Sequence, residues 1–328
     1  MGSTTRRNEE IVIGIIGLGS IGTRHIQKLK DLGVKKVVAM RTGSGTKKEI
    51  DSSIKDVIQT IDSFENFMNQ KPEGIIIANP TSLHAETIAK FSNTNLPIFV
   101  EKPMISASSE LSQISKVNKS NLLVGYCLRF HPIIQELKKL LAQNKIGPVF
   151  LAKLNAGHYL PDWHPYTDYT KEYYSRKNLG GGVLRTLSHE IDLMIHLFGL
   201  PDSFESACVS TSDLKIDVDD FATVLARCGK TVTRVEIDFL NLESKRDGIL
   251  FGEKGELHYN FSSQTVFFID RATKLKTQML FDKSVDMYEK QMNSFLDFIK
   301  SRERSLFCNF NEAKKIAEII DNTKNINT

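Results

Sequence analysis

The sequence predicts an α/β protein in two parts: a doubly wound parallel sheet, then an α/β domain with a large open antiparallel sheet. Three observations predict it. Ile11 to Ile16 is a near-continuous apolar run rich in β-branched residues, as expected of a parallel strand covered on both faces. Strand-like and helical stretches then alternate as far as Tyr126, the mark of βα units. Beyond Tyr126 the alternation gives way to many short strand-like runs joined by tight turns. The 328 residues are enough for two cores, and 41% apolar with 25% charged residues is ordinary globular composition.

The first strand runs at once into "GLGSIG", where Gly17, Gly19 and Gly22 form G-x-G-x-x-G with Ser20 and Ile21 between, and a helical stretch follows to about Lys30. That is the strand, turn and helix context of a dinucleotide (Rossmann) site. The first glycine permits the turn, the second lets pyrophosphate approach the backbone, and the third lets the helix pack on the strand. The N–H groups at the helix start then hold the phosphates.

Further strands follow at "KVVAM" (36–40), "GIIIANP" (74–80), "LPIFVEKP" (96–103) and "NLLVGY" (121–126). Ligands of such sheets lie across the carboxyl ends of the strands, where Asn79, Pro80, His84, Glu101 and Lys102 fall. The second strand ends at Arg41, where an NAD site places Asp or Glu for the ribose hydroxyls. Arg41, Thr42, Ser44, Lys47 and Lys48 are instead donors suited to a 2′-phosphate, so NADP is favoured over NAD.

After Tyr126, "HPIIQELKKLL" places Pro132 at a first helical position, with an apolar stripe at Ile133, Ile134, Leu137, Leu140 and Leu141. Strands are expected near 149–155, 204–211, 219–228, 231–240, 246–251, 255–261 and 264–270, linked by turns such as "CGK" and "GEKGE" in a meander-like antiparallel sheet. Helices near 285–301 and 310–323 close the chain. The expected domains are 1–127 for the dinucleotide and 128–328 for substrate and oligomerisation, with helix 310–323 a candidate to pack back on the first.

The net charge of +4 is spread without a basic run or stripe, which argues against nucleic acid as a partner. Cys127, Cys208, Cys228 and Cys308 are too far apart for a zinc site or a disulfide framework and read as thiols of a reducing cytoplasm, so no metal is expected. The first ten residues lack an apolar signal core, and Arg6 breaks the myristoylation pattern, so neither leader nor lipid anchor is expected. No apolar run reaches the roughly 18 residues of a membrane span.

The stretch "LGGGVLRTLSHEID" sets three glycines before an apolar helical run carrying Arg185, His189 and Asp192. His189 and Asp192 share a helix face by their spacing. The aromatic loop from Gly157 to Asn178 holds Tyr159, Trp163 and Arg176, whose ring faces suit sugars or bases and whose guanidinium suits a phosphate.

Taken in order, "GLGSIGTRH", "NPTSLH", "VEKP", "GYCLRFHP" and "LGGGVLRTLSHEID" resemble the Gfo/Idh/MocA family. The resemblance implies a Rossmann domain, a second domain on an open antiparallel sheet that pairs into dimers or tetramers, NAD(P) as cofactor, and a sugar-like substrate held between the domains. It also implies catalytic roles for Lys102 and His189 and a Lys102–Pro103 peptide that is often cis. A hydroxyl proton must leave when hydride is taken from a carbinol, a task suited to the His189 imidazole, while a Lys102 ammonium stabilises the developing alkoxide. The family usually has Asp where this chain has Thr186. The aromatic loop looks like that of a subgroup acting on nucleotide-activated sugars. A dinucleotide-binding sensor without chemistry, favoured by Thr186, and a reductase of an imine or non-sugar carbonyl are the alternative readings.

Overall fold

The computed structural model describes residues 7–41, 50–303 and 306–326. Two compact units emerge: residues up to Phe130 with Asp286–Ala313, and His131–Val285 with residues from Lys314 onward.

In the first unit β1 (Val12–Ile16), α1 (Ser20–Asp31), β2 (Lys36–Met40), β3 (Ile58–Ile61), α2 (Phe64–Asn69), β4 (Gly74–Ile77), α3 (His84–Ala89), β5 (Ile98–Val100) and β6 (Leu122–Val124) follow one another. All six strands are parallel in the order β3-β2-β1-β4-β5-β6, so the chain reverses direction across the sheet between β1 and β4. That reversal is where a doubly wound sheet opens its ligand crevice. Helix α1 buries Gly22, His25, Ile26 and Leu29, the i, i+3, i+4, i+7 stripe of a helix packed on a sheet.

The second unit holds α4 (Pro132–Ala142), β7 (Val149–Gly157), α5 (Leu160–Trp163), α6 (Val183–Thr186), α7 (His189–Phe198), β8 (Ser203–Val209), β9 (Phe221–Cys228), β10 (Thr231–Asp238), β11 (Lys245–Gly252), β12 (Gly255–Asn260), β13 (Thr265–Asp270) and β14 (Lys276–Leu280). Pro132 stands at the start of α4, as its fixed φ favours, and His131 Nδ1 accepts the Ile133 N–H. After α8 (Met287–Ser301) and α9 (Phe310–Asp321) comes the short β15 (Lys324–Asn325). The strand order is β14-β13-β12-β11-β7-β10-β9-β8-β15.

Most of this sheet is antiparallel, but it is not a simple meander. Strand β7 lies between β11 and β10 and runs parallel to β10, and β15 runs parallel to β8. A parallel neighbour needs a long crossover, here the chain from α5 through β9. Pairing across such distance leaves no mark in local alternation.

The units divide at Phe130/His131, near the expected 127/128, but the first also takes in a later helix. Helix α8 was expected in the second domain but packs with the first unit, because Met292, Phe295, Leu296 and Phe298 fill the core around Ile15, Phe99, Leu123 and Phe307. Phe295 lies 5.8 Å from Phe99 centre to centre. Helix α9 begins in the first unit and ends in the second. No helix among the described residues is long and apolar enough to cross a membrane.

Replacing Phe295 by Ala should destabilise the protein by roughly 3–5 kcal/mol through cavity formation. Tyr166, 99% exposed, tolerates the same change within about 0.5 kcal/mol. Denaturant unfolding of the two variants measures both.

Candidate active site

The glycine-rich turn lies between the end of β1 and the start of α1. A Cβ on Gly22 would stand 2.1 Å from the Gly17 carbonyl oxygen, so only glycine lets α1 approach the strand this closely. A Cβ on Gly19 would meet nothing within 4 Å, so the backbone there is open. Gly19 is also the N-cap of α1 and offers no side chain to its N–H groups, which leaves the first turn at Ser20 and Ile21 able to donate to an anion.

Arg41 follows the last residue of β2, and its N–H donates to Ile61 O at 3.1 Å. Thr42, Ser44, Lys47 and Lys48 lie outside the described residues. Past β4, the Asn79 amide donates to Thr87 Oγ1 at 2.9 Å, and its buried Oδ1 has no partner. A buried amide oxygen left so is costly unless a ligand supplies a donor. This orphaned acceptor and the open turn together fit a bound dinucleotide.

His84 is 1% exposed, with Nδ1 2.9 Å from Pro103 O and Nε2 3.0 Å from Asn79 O. Burial lowers its pKa below 6.5, opposed by these two carbonyls. Just past β5, Glu101 places Oε1 2.7 Å from His25 Nε2, and its Oε2 accepts the Lys102 N–H at 3.1 Å. The Lys102–Pro103 peptide is cis.

In the second unit the run after the glycines is not one helix. It breaks at Leu187 and Ser188, so Arg185 sits in α6 while His189 opens α7 together with Asp192. Gly182 takes φ 113°, where a Cβ would meet Asp219 Oδ1 at 2.5 Å. The Asp219 carboxylate instead accepts the Leu184 N–H at 3.1 Å and caps α6 from another loop. Burial raises its pKa, and the hydrogen bonds of Leu184 and Val183 counter that rise.

His189 is half-buried and Asp192 fully buried. Arg185 lies 3.8 Å from Asp321 in an ion pair. Tyr159 is the N-cap of α5, Trp163 ends that helix, and Arg176 is half-buried. Trp163 stacks on His164 at 4.9 Å and meets His158 and Tyr174 at a tilt, at 4.2 and 5.0 Å.

Three features were not assigned from sequence. Glu190, fully buried, pairs with Arg246 Nε of β11 at 2.5 Å. Asp219 was invisible as a cap because it lies thirty-odd residues from α6 in sequence, though the acidic "DVDD" in an otherwise apolar strand entry was its signal. His158 is 9% exposed, its Nε2 has no partner, and burial, then the Arg246 charge, pushes its pKa down to about 4 against the pull of Asp238.

An open glycine turn between β1 and α1 on a six-stranded, doubly wound parallel sheet is the form of a dinucleotide-binding fold. Comparison with known proteins makes this specific. The oxidoreductase family model with NAD-binding Rossmann fold matches residues 11–126, and the GFO/IDH/MocA C-terminal domain matches 134–258. Together they cover most of the chain, which belongs to the Gfo/Idh/MocA family.

The chain is 24% identical over 317 residues to the uncharacterized oxidoreductase YrbE of Bacillus subtilis (strain 168), covering 90% of this chain and 89% of YrbE. Among solved structures, levoglucosan dehydrogenase in complex with NADH and levoglucosan has a TM-score of 0.80 at 18% identity, over 95% of both chains. UDP-N-acetylglucosamine 3-dehydrogenase GnnA from Acidithiobacillus ferrooxidans has a TM-score of 0.75 at 18% identity, over 95% of this chain and 96% of that one. At these identities the structures share the fold.

Two predictions follow from the geometry. Gly22→Ala should cost about 1–3 kcal/mol or more by forcing α1 off the strand. Gly19→Ala should fold normally yet bind dinucleotide at least ~10-fold more weakly, since a methyl occupies the open approach; calorimetric titration and thermal melting separate the two effects.

For His158, the unfolded value near 6.5 lies above the folded value of about 4, so the unfolded chain holds the extra proton between them. Stability is therefore full above pH 6.5 and falls as pH drops through that window, by up to roughly 3 kcal/mol. His158→Phe, which keeps a ring on Trp163, should flatten this part of the pH–stability curve in urea titrations.

Proposed function

We propose that the protein transfers a hydride between the nicotinamide of NADP and a secondary alcohol, or the matching ketone, of a nucleotide-activated sugar. The observation that carries this reading is Lys102, two residues past β5 at the carboxyl end of the sheet whose first turn fits the dinucleotide. The nicotinamide accepts or donates the hydride when bound. Gly17, Gly19, Ser20, Ile21 and Gly22 take the pyrophosphate, Asn79 and Pro80 line the crevice, and Arg41 with Thr42 takes the 2′-phosphate.

His189 removes the hydroxyl proton or returns it, and Lys102 as a cation stabilises the oxygen while it carries negative charge. Thr186 brings no charge to its turn, and the carboxylate on the His189 face of α7 is Asp192. The aromatic surface of Tyr159 and Trp163 suits a sugar ring, and Arg176 and Arg185 suit phosphate oxygens. The fold is shared with levoglucosan dehydrogenase, which supports a sugar substrate, and with the UDP-N-acetylglucosamine 3-dehydrogenase GnnA, which supports a nucleotide-activated one.

The sheet supports an oligomer. Its row Arg227, Val232, Leu151, Phe251, Glu256 runs across neighbouring strands with every side chain at least partly exposed. We assign this face to a second copy of the chain, in a dimer or tetramer.

A sensor that binds dinucleotide without chemistry is the second reading, favoured by Thr186. Incubation with NADP or NAD and a panel of nucleotide sugars, followed by nicotinamide absorbance, separates the two. The enzyme reading expects turnover with NADP and a loss of about 10²–10⁴-fold in Lys102→Ala and His189→Ala. Wild-type rates in both variants overturn it.

A further inference from the structure

The segment Glu101-Lys102-Pro103 is held at both ends by buried imidazoles reaching from different helices. On one side stands His25 of α1, three residues beyond Gly22 and 0% exposed. Its Nε2 lies 2.7 Å from Glu101 Oε1, while the second oxygen of that carboxylate accepts the Lys102 backbone N–H. On the other side His84 meets the Pro103 carbonyl at 2.9 Å. Both oxygens of Glu101 are thus engaged within the chain.

The hydrogen of the first contact is assigned by its surroundings. His25 Nδ1 has no partner and faces an aromatic enclosure, with Phe99 edge-on at 5.1 Å and Tyr288 at 6.1 Å. A carboxylate has no proton to give at neutral pH, so Nε2 is the donor of this contact. The space around the carboxylate is tight as well, since a Cβ on Gly125 would stand 3.3 Å from Glu101 Oε1. Glu101 is thus tied at both oxygens, one to His25 and one to the amide of Lys102.

We propose that His25 is a positioning residue for Lys102, acting through the Glu101 carboxylate, so that the helix receiving the dinucleotide phosphates also sets the origin of the lysine side chain. This rests on the reading of Lys102 given above. A lysine stem has four rotatable bonds, and its ammonium can be pre-aimed only if its backbone is held. The sequence of contacts is α1, His25, Glu101 carboxylate, Lys102 amide, with no unpaired link between them.

The test compares His25→Phe, which keeps the ring volume and deletes the donor, with His25→Gln, whose amide nitrogen occupies nearly the place of Nε2. In His25→Phe, kcat should fall by about 10–100-fold, the loss of a positioned group, while dinucleotide Kd and sugar KM stay within about 3-fold. His25→Gln should recover most of kcat. Hydrogen exchange of the Lys102 amide should quicken in His25→Phe and stay slow in His25→Gln.

Wild-type kcat in His25→Phe, or a Lys102 amide as protected as in the wild type, overturns the proposal, as does His25→Gln failing as badly as His25→Phe. If His25→Phe does not fold, Glu101→Gln is the deciding variant: one amide oxygen cannot replace both carboxylate contacts, so faster exchange at Lys102 with lower kcat supports the link and unchanged values overturn it. If Lys102→Ala retains full turnover, the functional reading fails, while exchange at the Lys102 amide still decides whether the link exists.

Discussion

The close approach of α1 to β1 is the constraint on which the first unit depends. With 2.1 Å between a would-be Cβ of Gly22 and the Gly17 carbonyl, the helix sits as near the sheet as a backbone can. Three consequences share that distance. The first-turn N–H groups face the crevice at the β1/β4 reversal. Ile26 and Leu29 enter the core. His25, one turn on from Gly22, comes within hydrogen-bonding distance of a carboxylate at the end of β5, two strands away across the sheet. A longer side chain at position 22 would displace all three together.

The second unit solves a related problem by different means. Its glycine loop enters α6 at φ 113° and cannot cap the helix itself, so a carboxylate from the β8–β9 connection does so. Two neighbouring aspartates brace the same connection. Asp217 accepts the Lys177 N–H at 2.7 Å, and buried Asp220 accepts the N–H groups of Thr211 and Ser212. Charged acceptors on backbone donors make stronger bonds than neutral ones, which suits a loop with little apolar surface. The entry to α6 is thus fixed by an acid whose partner is a backbone N–H rather than another side chain.

What was legible in the sequence follows from this distinction. Strands of the parallel sheet announce themselves as buried runs, and "KVVAM" coincides with β2. The glycine turn is legible because each glycine answers a local steric demand. Pro132 and the α4 stripe are local too. Strand β3, with two exposed middle residues in "IQTI", and β14, with only one of five residues even half-buried, gave no such pattern. The break between α6 and α7 was hidden because Leu187 and Ser188 are unremarkable in a helix. The place of α8 was hidden as well: its apolar stripe says that it is buried, not against which core. For the candidate site, the residue types were readable, whereas the His25 partner of Glu101 and the Arg246 partner of Glu190 lie 76 and 56 residues away in the chain.

The charges around α7 bear on Thr186. With an uncharged Thr at 186, two acids stand in the first turn of α7, Glu190 and Asp192, both fully buried. Acids are favourable there because the helix N-terminus carries partial positive charge. Their roles differ by direction. Glu190 is one residue from His189, points to another face, and is neutralised by Arg246 across the sheet at 2.5 Å. Removing Arg246 would strand the buried Glu190 carboxylate, so Glu190 is bound to a structural task. Asp192, three residues on, shares the His189 face and lies fully out of solvent. The chain thus keeps a carboxylate beside its histidine but carries it on the same helix, one turn later, where it moves with His189 rather than with α6.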